Sequence, residues 1–232
     1  MKLTVFGGTG PTGRQLLRLA LADGHRVTAV ARDPAALADL SAGASSLAGS
    51  AAVPGAQAGG PTLTVLAGDV LDPASLAGTC EGADAVLSAL GTRATNAETS
   101  VYSTGARHIM DAMRASGVTR LVLLTAAPVA PAAERSPFER LLVDRVLHRF
   151  FGSGYRDMAR LEELLRAQPE GLAWTVLRPP RLLDKPATGS YRSAVNSRLR
   201  GGWSISRADL ARAMLDALAD PATVRAAVNV AN

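Results

Sequence analysis

The sequence predicts an α/β fold: a doubly wound parallel sheet with helices on both faces, forming a single domain over residues 1–232. Strand-like apolar runs alternate with helix-period segments along most of the chain, the pattern of βαβ units. A glycine-rich turn at 7–13 directly follows the first run and opens the first helical segment. The composition, 47% hydrophobic and 19% charged, excludes a disordered chain, and 232 residues can bury a core without metal or disulfide.

Lys2–Phe6 is the first strand, and Arg14–Ala22, with Leu16, Leu17, Leu19 and Leu21, is an amphipathic helix. Val27–Ala31 is the second strand, followed by a short helix at Pro34–Leu40 with proline in its first turn. Residues 41–61 are Ala/Gly/Ser-rich and uncharged, and they read as a flexible insertion. Further strands are expected at Leu63–Ala67, Ala85–Leu90, Arg120–Thr125 and Ala173–Arg178. Helices are expected at Val101–Ser116, Pro137–Arg149, Tyr155–Ala167 and Arg207–Ala219, the last with Ser206 as its N-cap. A small substrate-side region is assigned to 128–205. Phe138–Phe151 is apolar around much of its circumference, which suits a lid, a dimer face or a core helix, and the oligomeric state is not legible.

The single cysteine, Cys80, allows no internal disulfide and suggests a reducing, cytoplasmic compartment. His25, His108 and His148 lack metal-ligand spacing, so no metal site is expected. No run reaches the length of a membrane span. The net charge of +5 is concentrated in 178–212, where Arg178, Arg181, Lys185, Arg192, Arg198, Arg200, Arg207 and Arg212 face only Asp184 and Asp209. No nucleic-acid-binding motif accompanies this patch, so a nucleic-acid partner is disfavoured.

Gly7-Gly8-Thr9-Gly10-Pro11-Thr12-Gly13 fits both G-x-G-x-x-G and G-x-x-G-x-x-G. One glycine serves the tight turn, one the close approach of a pyrophosphate, and one the packing of helix on strand. The helix start then binds phosphate through its N–H groups and dipole. This is the Rossmann-type dinucleotide site. The second strand ends in Ala31-Arg32-Asp33. Arg32 can fork onto a ribose 2′-phosphate, so NADP(H) is favoured over NAD(H), although Asp33 can still serve the ribose.

These motifs, with Gly68-Asp69-Val70, Leu90-Gly91-Thr92-Arg93, Gly105-Ala106-Arg107, Gly117-Val118, Arg178-Pro179-Pro180 and Thr188-Gly189-Ser190-Tyr191, resemble the atypical short-chain dehydrogenase/reductases with an NAD(P)H-binding domain. The flavin reductase/biliverdin-IXβ reductase group is the nearest likeness, and NmrA-like redox sensors are cousins. The resemblance implies that Asp69 and Val70 sit beside the adenine and that Leu90, Gly91 and Arg93 approach the ribose and nicotinamide. It places Thr125 and Ala126 under the nicotinamide, and Pro179, Pro180 and Arg181 beside nicotinamide and substrate. The chain departs from that group at Ala126, where a serine is expected, and at Arg181, where a histidine is expected.

The Tyr-x-x-x-Lys dyad of ordinary members is absent, because Tyr102, Tyr155 and Tyr191 are followed four residues later by Ala106, Ala159 and Val195. Carbonyl reduction is therefore disfavoured. Flavins and quinones accept hydride without a protein acid, since positioning alone contributes roughly 7–11 kcal/mol against about 10²–10⁴-fold for general acid catalysis. The expected activity is an NADPH-dependent reductase of a small conjugated acceptor, which can be anionic. Arg181, Tyr191 and Tyr155 are the candidate catalytic residues. The alternative is a non-catalytic NADP(H) sensor.

Overall fold

A computed structural model describes residues 1–41, 60–92, 98–131 and 148–232. The main sheet comprises β1 (Lys2–Phe6), β2 (Arg26–Ala31), β3 (Thr62–Ala67), β4 (Ala85–Ser88), β5 (Arg120–Leu124), β6 (Ala173–Arg178), β8 (Arg192–Val195) and β10 (Ala226–Ala231). Its order is β3-β2-β1-β4-β5-β6-β10-β8. Every pairing is parallel except β10 with the edge strand β8. β7 (Arg181–Leu183) and β9 (Ser204–Ser206) form a separate parallel pair.

Four helices of at least 12 residues flank the sheet among the described residues: α1 (Pro11–Ala22), α2 (Ser103–Ala115), α3 (His148–Arg166) and α4 (Arg207–Ala219). α1 and α4 cover one face, where Leu16, Leu17, Ala20, Leu210 and Met214 pack on Leu3, Val5, Ala29 and Val228. α2 and α3 cover the other, where Ile109, Met113, Leu161 and Leu165 pack on Phe6, Val86, Leu121 and Val176. Each fully buried aliphatic side chain contributes roughly 1.5–3 kcal/mol, so two such layers define the fold. The alternation of side chains along each strand sends half to each layer.

The expected elements are present with shifted ends. β4 stops at Ser88 and β5 at Leu124, and the expected short helix after β2 opens as a 3₁₀ turn at Pro34–Leu37 and continues as α-helix over 38–41. α2 starts two residues later than expected, at Ser103. α3 begins at His148, so Tyr155 lies inside the helix and not at its start. Gly152 and Gly154 each weaken a helix by about 1 kcal/mol, yet Ser153 is buried there and the helix continues through them. The segments 42–59 of the expected insertion and 132–147, which holds most of Pro137–Arg149, lie outside the described residues. Four strands, β7 to β10, were not expected. β10 is six buried residues, Ala-Ala-Val-Asn-Val-Ala, too alanine-rich to signal a strand by propensity.

Candidate active site

β1 lies between β2 and β4, so successive crossovers leave it in opposite directions. The carboxyl ends of the strands at such a switch point form the crevice where open α/β sheets bind ligands. The turn after β1 is shaped by its glycines. Gly7 has φ +77°, and a Cβ there would lie 2.7 Å from the Ala89 carbonyl. A Cβ on Gly13 would lie 2.1 Å from the Gly7 oxygen, so only glycine lets the start of α1 close onto the turn. The Gly10 N–H donates to the Gly7 oxygen at 3.1 Å.

Gly10 caps α1 with extended backbone and no side chain, Pro11 follows in the first turn, and that turn contains no acidic residue. The N–H groups of Thr12 and Gly13 therefore have no side-chain cap, and the positive end of the helix dipole is uncompensated from within. A cradle closed to a Cβ at Gly7 and Gly13, with open amides, fits a dinucleotide pyrophosphate. Gly7, Thr9, Gly10, Pro11, Thr12 and Gly13 all lie on this turn, with Thr9 and Pro11 exposed and Thr12 buried.

Arg32 follows β2 on the same edge of the sheet. It is exposed and makes no hydrogen bond or ion pair among the described residues. Asp33 Oδ1 accepts from the Ala35 N–H at 3.0 Å and so caps the 3₁₀ turn. Arg14 donates to the Ala36 carbonyl at 2.8 Å and pairs with Asp39, which ties this segment to α1.

Asp69 and Val70 follow β3. The Asp69 carboxylate accepts from the Leu71 N–H at 3.0 Å, and its backbone bonds Ser75. Val70 is buried, and its carbonyl lies 2.8 Å from His108 Nδ1. A Cβ on Gly105 would meet Val70 Cγ2 at 2.9 Å, so this glycine lets α2 sit down on the turn.

Leu90 and Gly91 follow β4, half-buried and exposed respectively. Next to them the Thr92 N–H donates to the Tyr102 hydroxyl at 3.1 Å. Arg93 lies outside the described residues. Tyr102 starts α2 without a side-chain cap of its own. The cap comes from α3: the buried Asp157 accepts from the Tyr102 N–H at 2.8 Å and the Ser103 N–H at 3.3 Å. Burial, reinforced by Tyr102, pushes the Tyr155 phenol above its ordinary pKa and keeps it protonated at neutral pH.

The ends of β5 and β6 are laced together. The Thr125 N–H donates to the Leu177 carbonyl at 3.0 Å and the Ala127 N–H to the Pro179 carbonyl at 2.8 Å. Thr125 Oγ1 donates to Glu162 at 3.0 Å. Glu162 is also held by Arg178 Nε at 2.8 Å and Arg166 at 2.7 Å. This buried network joins α3 to the end of the sheet under Thr125 and Pro179.

The remaining candidates lie further along the chain. Arg181, in β7, is exposed, and its side chain has no partner among the described residues. Asp184, three residues along the chain, pairs with Arg207 at 2.7 Å. The Tyr191 hydroxyl donates to Asp216 of α4 at 2.8 Å, and burial together with that bond raises its pKa far above the usual phenol range. Tyr191 packs against the α1/α4 layer, whereas Tyr155 is on the α2/α3 side. The candidate acids are therefore not brought together. Burial pushes the Cys80 thiol up, which makes it unreactive. Among the described residues no cluster suits a metal ion, and no helix is long and apolar enough to cross a membrane.

Sequence reasoning missed Glu162, Asp157 and Arg207. The one available signal was Arg178, a charge ending an apolar strand, which implies a buried partner without saying which carboxylate supplies it. Much of the basic C-terminal stretch is engaged internally. Arg178 pairs with Glu162, Arg212 with Asp23, and Arg192 bonds the carbonyls of Arg200, Gly201 and Asn232.

Residues 7–221 match the model of the NAD(P)H-binding family. Among solved structures, a protein from Burkholderia pseudomallei described as a candidate exported protein shares 25% identity over 100% of both chains, with a TM-score of 0.73. ChuY, named an anaerobillin reductase, from Escherichia coli O157:H7 shares 23% identity over 100% of this chain and 97% of that one, with a TM-score of 0.74. The oxidoreductase ylbE from Lactococcus lactis shares 19% identity over 100% and 91%, with a TM-score of 0.73.

Proposed function

Since the chain belongs to the NAD(P)H-binding family, we propose that it is an NADPH-dependent reductase passing hydride to a small conjugated acceptor such as a flavin or quinone. The observation that carries this reading is the glycine cradle followed on the same sheet edge by the exposed Arg32, which has no partner among the described residues. When bound, the nicotinamide supplies a hydride. The residues at the crest do the rest. The amides of α1 hold the pyrophosphate, Arg32 holds the 2′-phosphate in a forked geometry, and Asp69 and Val70 flank the adenine. Leu90, Gly91, Thr125 and Pro179 fix the nicotinamide end over the laced ends of β5 and β6.

The acceptor class follows from what the crest lacks. Ala126 carries no proton donor, and the Tyr191 hydroxyl is bound to Asp216. A flavin or quinone delocalises the incoming electron pair and takes its proton from water, so it needs no protein acid. Arg181, whose exposed side chain has no partner among the described residues, suits an anionic group on the acceptor. The Tyr155 phenol of α3 stays protonated at neutral pH because burial raises its pKa. The same lack of an acid favours a second reading, a sensor that binds NADP(H) without turnover, as in the NmrA-like proteins that the sequence also resembles.

The test is NADPH consumption by the purified protein with FMN, riboflavin and quinones, with NADH and Arg32→Ala as controls. The expected result is turnover with NADPH, a loss of at least about tenfold in NADPH affinity for Arg32→Ala, in the range of one charge-assisted contact, and little change with NADH. Tight NADPH binding with no consumption by any acceptor overturns the reductase reading in favour of the sensor.

A further inference from the structure

α1 and α4 pack side by side on one face of the sheet. They run with their starts together. Arg207, the first residue of α4, donates from Nη1 to Thr12 Oγ1 in the first turn of α1 at 3.3 Å, and Arg212 pairs with Asp23 just beyond the end of α1 at 2.6 Å. The position of Arg207 is unfavourable for its own helix, because a cation at a helix start opposes the macrodipole. α4 does not need it as a cap either. Ser206 accepts from the Asp209 N–H at 2.9 Å and already fills that role. Arg207 is three-quarters buried, and its Nε donates to Asp184 at 2.7 Å while Nη1 serves Thr12.

What the guanidinium does to Thr12 is specific. A hydroxyl has one proton and two lone pairs. With a lone pair engaged by Arg207, the Thr12 oxygen keeps its proton for an acceptor on another side. The uncapped N–H groups of Thr12 and Gly13 lie on the same turn. The start of α1 thus presents amide donors, a hydroxyl donor and a guanidinium held by Asp184, an arrangement that suits an anion.

We infer that Arg207 is a positioning residue for the cofactor's pyrophosphate: it orients the Thr12 hydroxyl as a donor to that anion and adds charge to the phosphate end of α1. This rests on the reading of the glycine turn as the dinucleotide site. It assigns to a residue of the last helix a role that does not discriminate NADPH from NADH, in contrast to Arg32.

Calorimetric titration of NADPH, NADH and ADP-ribose into the full chain tests it, with the melting midpoint of each cofactor-free variant as the structural control. Arg207→Ala is expected to weaken all three ligands by a common factor of about tenfold, the size of one charge-assisted contact, without moving the midpoint by more than a degree or two. Arg207→Lys should recover most of the loss. Thr12→Val should weaken binding too, and the double variant should lose no more than the worse single variant, because the two residues act through one hydrogen bond. Arg207→Gln, a neutral donor, replaces the alanine variant should that one fail to fold. Unchanged affinities in Arg207→Ala, a loss confined to NADPH, or fully additive losses in the double variant would overturn the assignment. Failure of the wild-type chain to bind any of the three ligands instead removes the reading of the glycine turn, so the two failures are distinguishable.

Discussion

Asp209 shows how much a single side chain organises near the site. It is buried in the first turn of α4 and accepts from Ser206 Oγ at 2.7 Å, Thr188 N at 3.0 Å, Thr188 Oγ1 at 3.0 Å and Asn232 Nδ2 at 3.0 Å. Burial alone would raise its pKa, but the donors from Thr188, Ser206 and Asn232 outweigh burial and hold the carboxyl below its ordinary value. The unfolded chain titrates this group near 3.9, so its stabilisation is complete above that pH and is lost as pH falls through the lower folded value. Asp209→Asn should cost roughly 2–4 kcal/mol at pH 7, read as a lower urea midpoint, because hydrogen bonds to a charged acceptor are lost and one amide N–H₂ faces buried donors. The gap from wild type should narrow below about pH 4; a gap independent of pH would show that the charge is not what matters. Arg32 is the opposite kind of residue. It has no hydrogen bond or ion pair among the described residues, and its residue type and its place after β2 are what the proposed 2′-phosphate contact rests on.

At the scale of elements, helix ends carry the functional consequences. α1 is left uncapped where an anion would complete it. α2, whose N-cap position holds an unhelpful Tyr102, is capped by Asp157 from α3. α4 caps itself with Ser206, as its sequence predicts. The glycine turn is the least tolerant element, since a methyl on Gly13 would sit 2.1 Å from the Gly7 oxygen. Gly13→Ala should force the turn and α1 apart, destabilise the fold by about 1–3 kcal/mol as overpacked sites do, and abolish measurable NADPH binding by calorimetry. Normal binding in that variant would mean that the pyrophosphate lies elsewhere. The extension of α3 through Gly152 and Gly154 is a case where packing overrides propensity.

At the scale of the whole molecule, the crest exists because parallel strands end together. β2, β1, β4, β5 and β6 are neighbours in that order, so segments far apart in the chain share one edge. A cofactor that binds there only in the folded state should stabilise the molecule by about 2.7 kcal/mol at a concentration 100 times its Kd. In urea titrations NADPH at that excess should raise the unfolding midpoint of the wild type, and no shift with either NADPH or NADH would rule out a preformed cofactor site. The sequence by itself determined the α/β class, the glycine turn, the placement of Arg32, Asp69 and Pro179 after strands and of Thr125 at a strand end, and the Ser206 cap, because periodicity, turn chemistry and capping are local properties of the chain. It did not contain β7 to β10 in legible form, since short or alanine-rich strands are stabilised by their neighbours and not by propensity. The tertiary structure alone decided that Glu162 pairs with Arg178, that Asp157 caps α2, that Asp216 takes the Tyr191 hydroxyl and that Arg207 reaches Thr12. Those partners are 16, 55, 25 and 195 residues apart, and which charge meets which across such distances is set by how the layers pack.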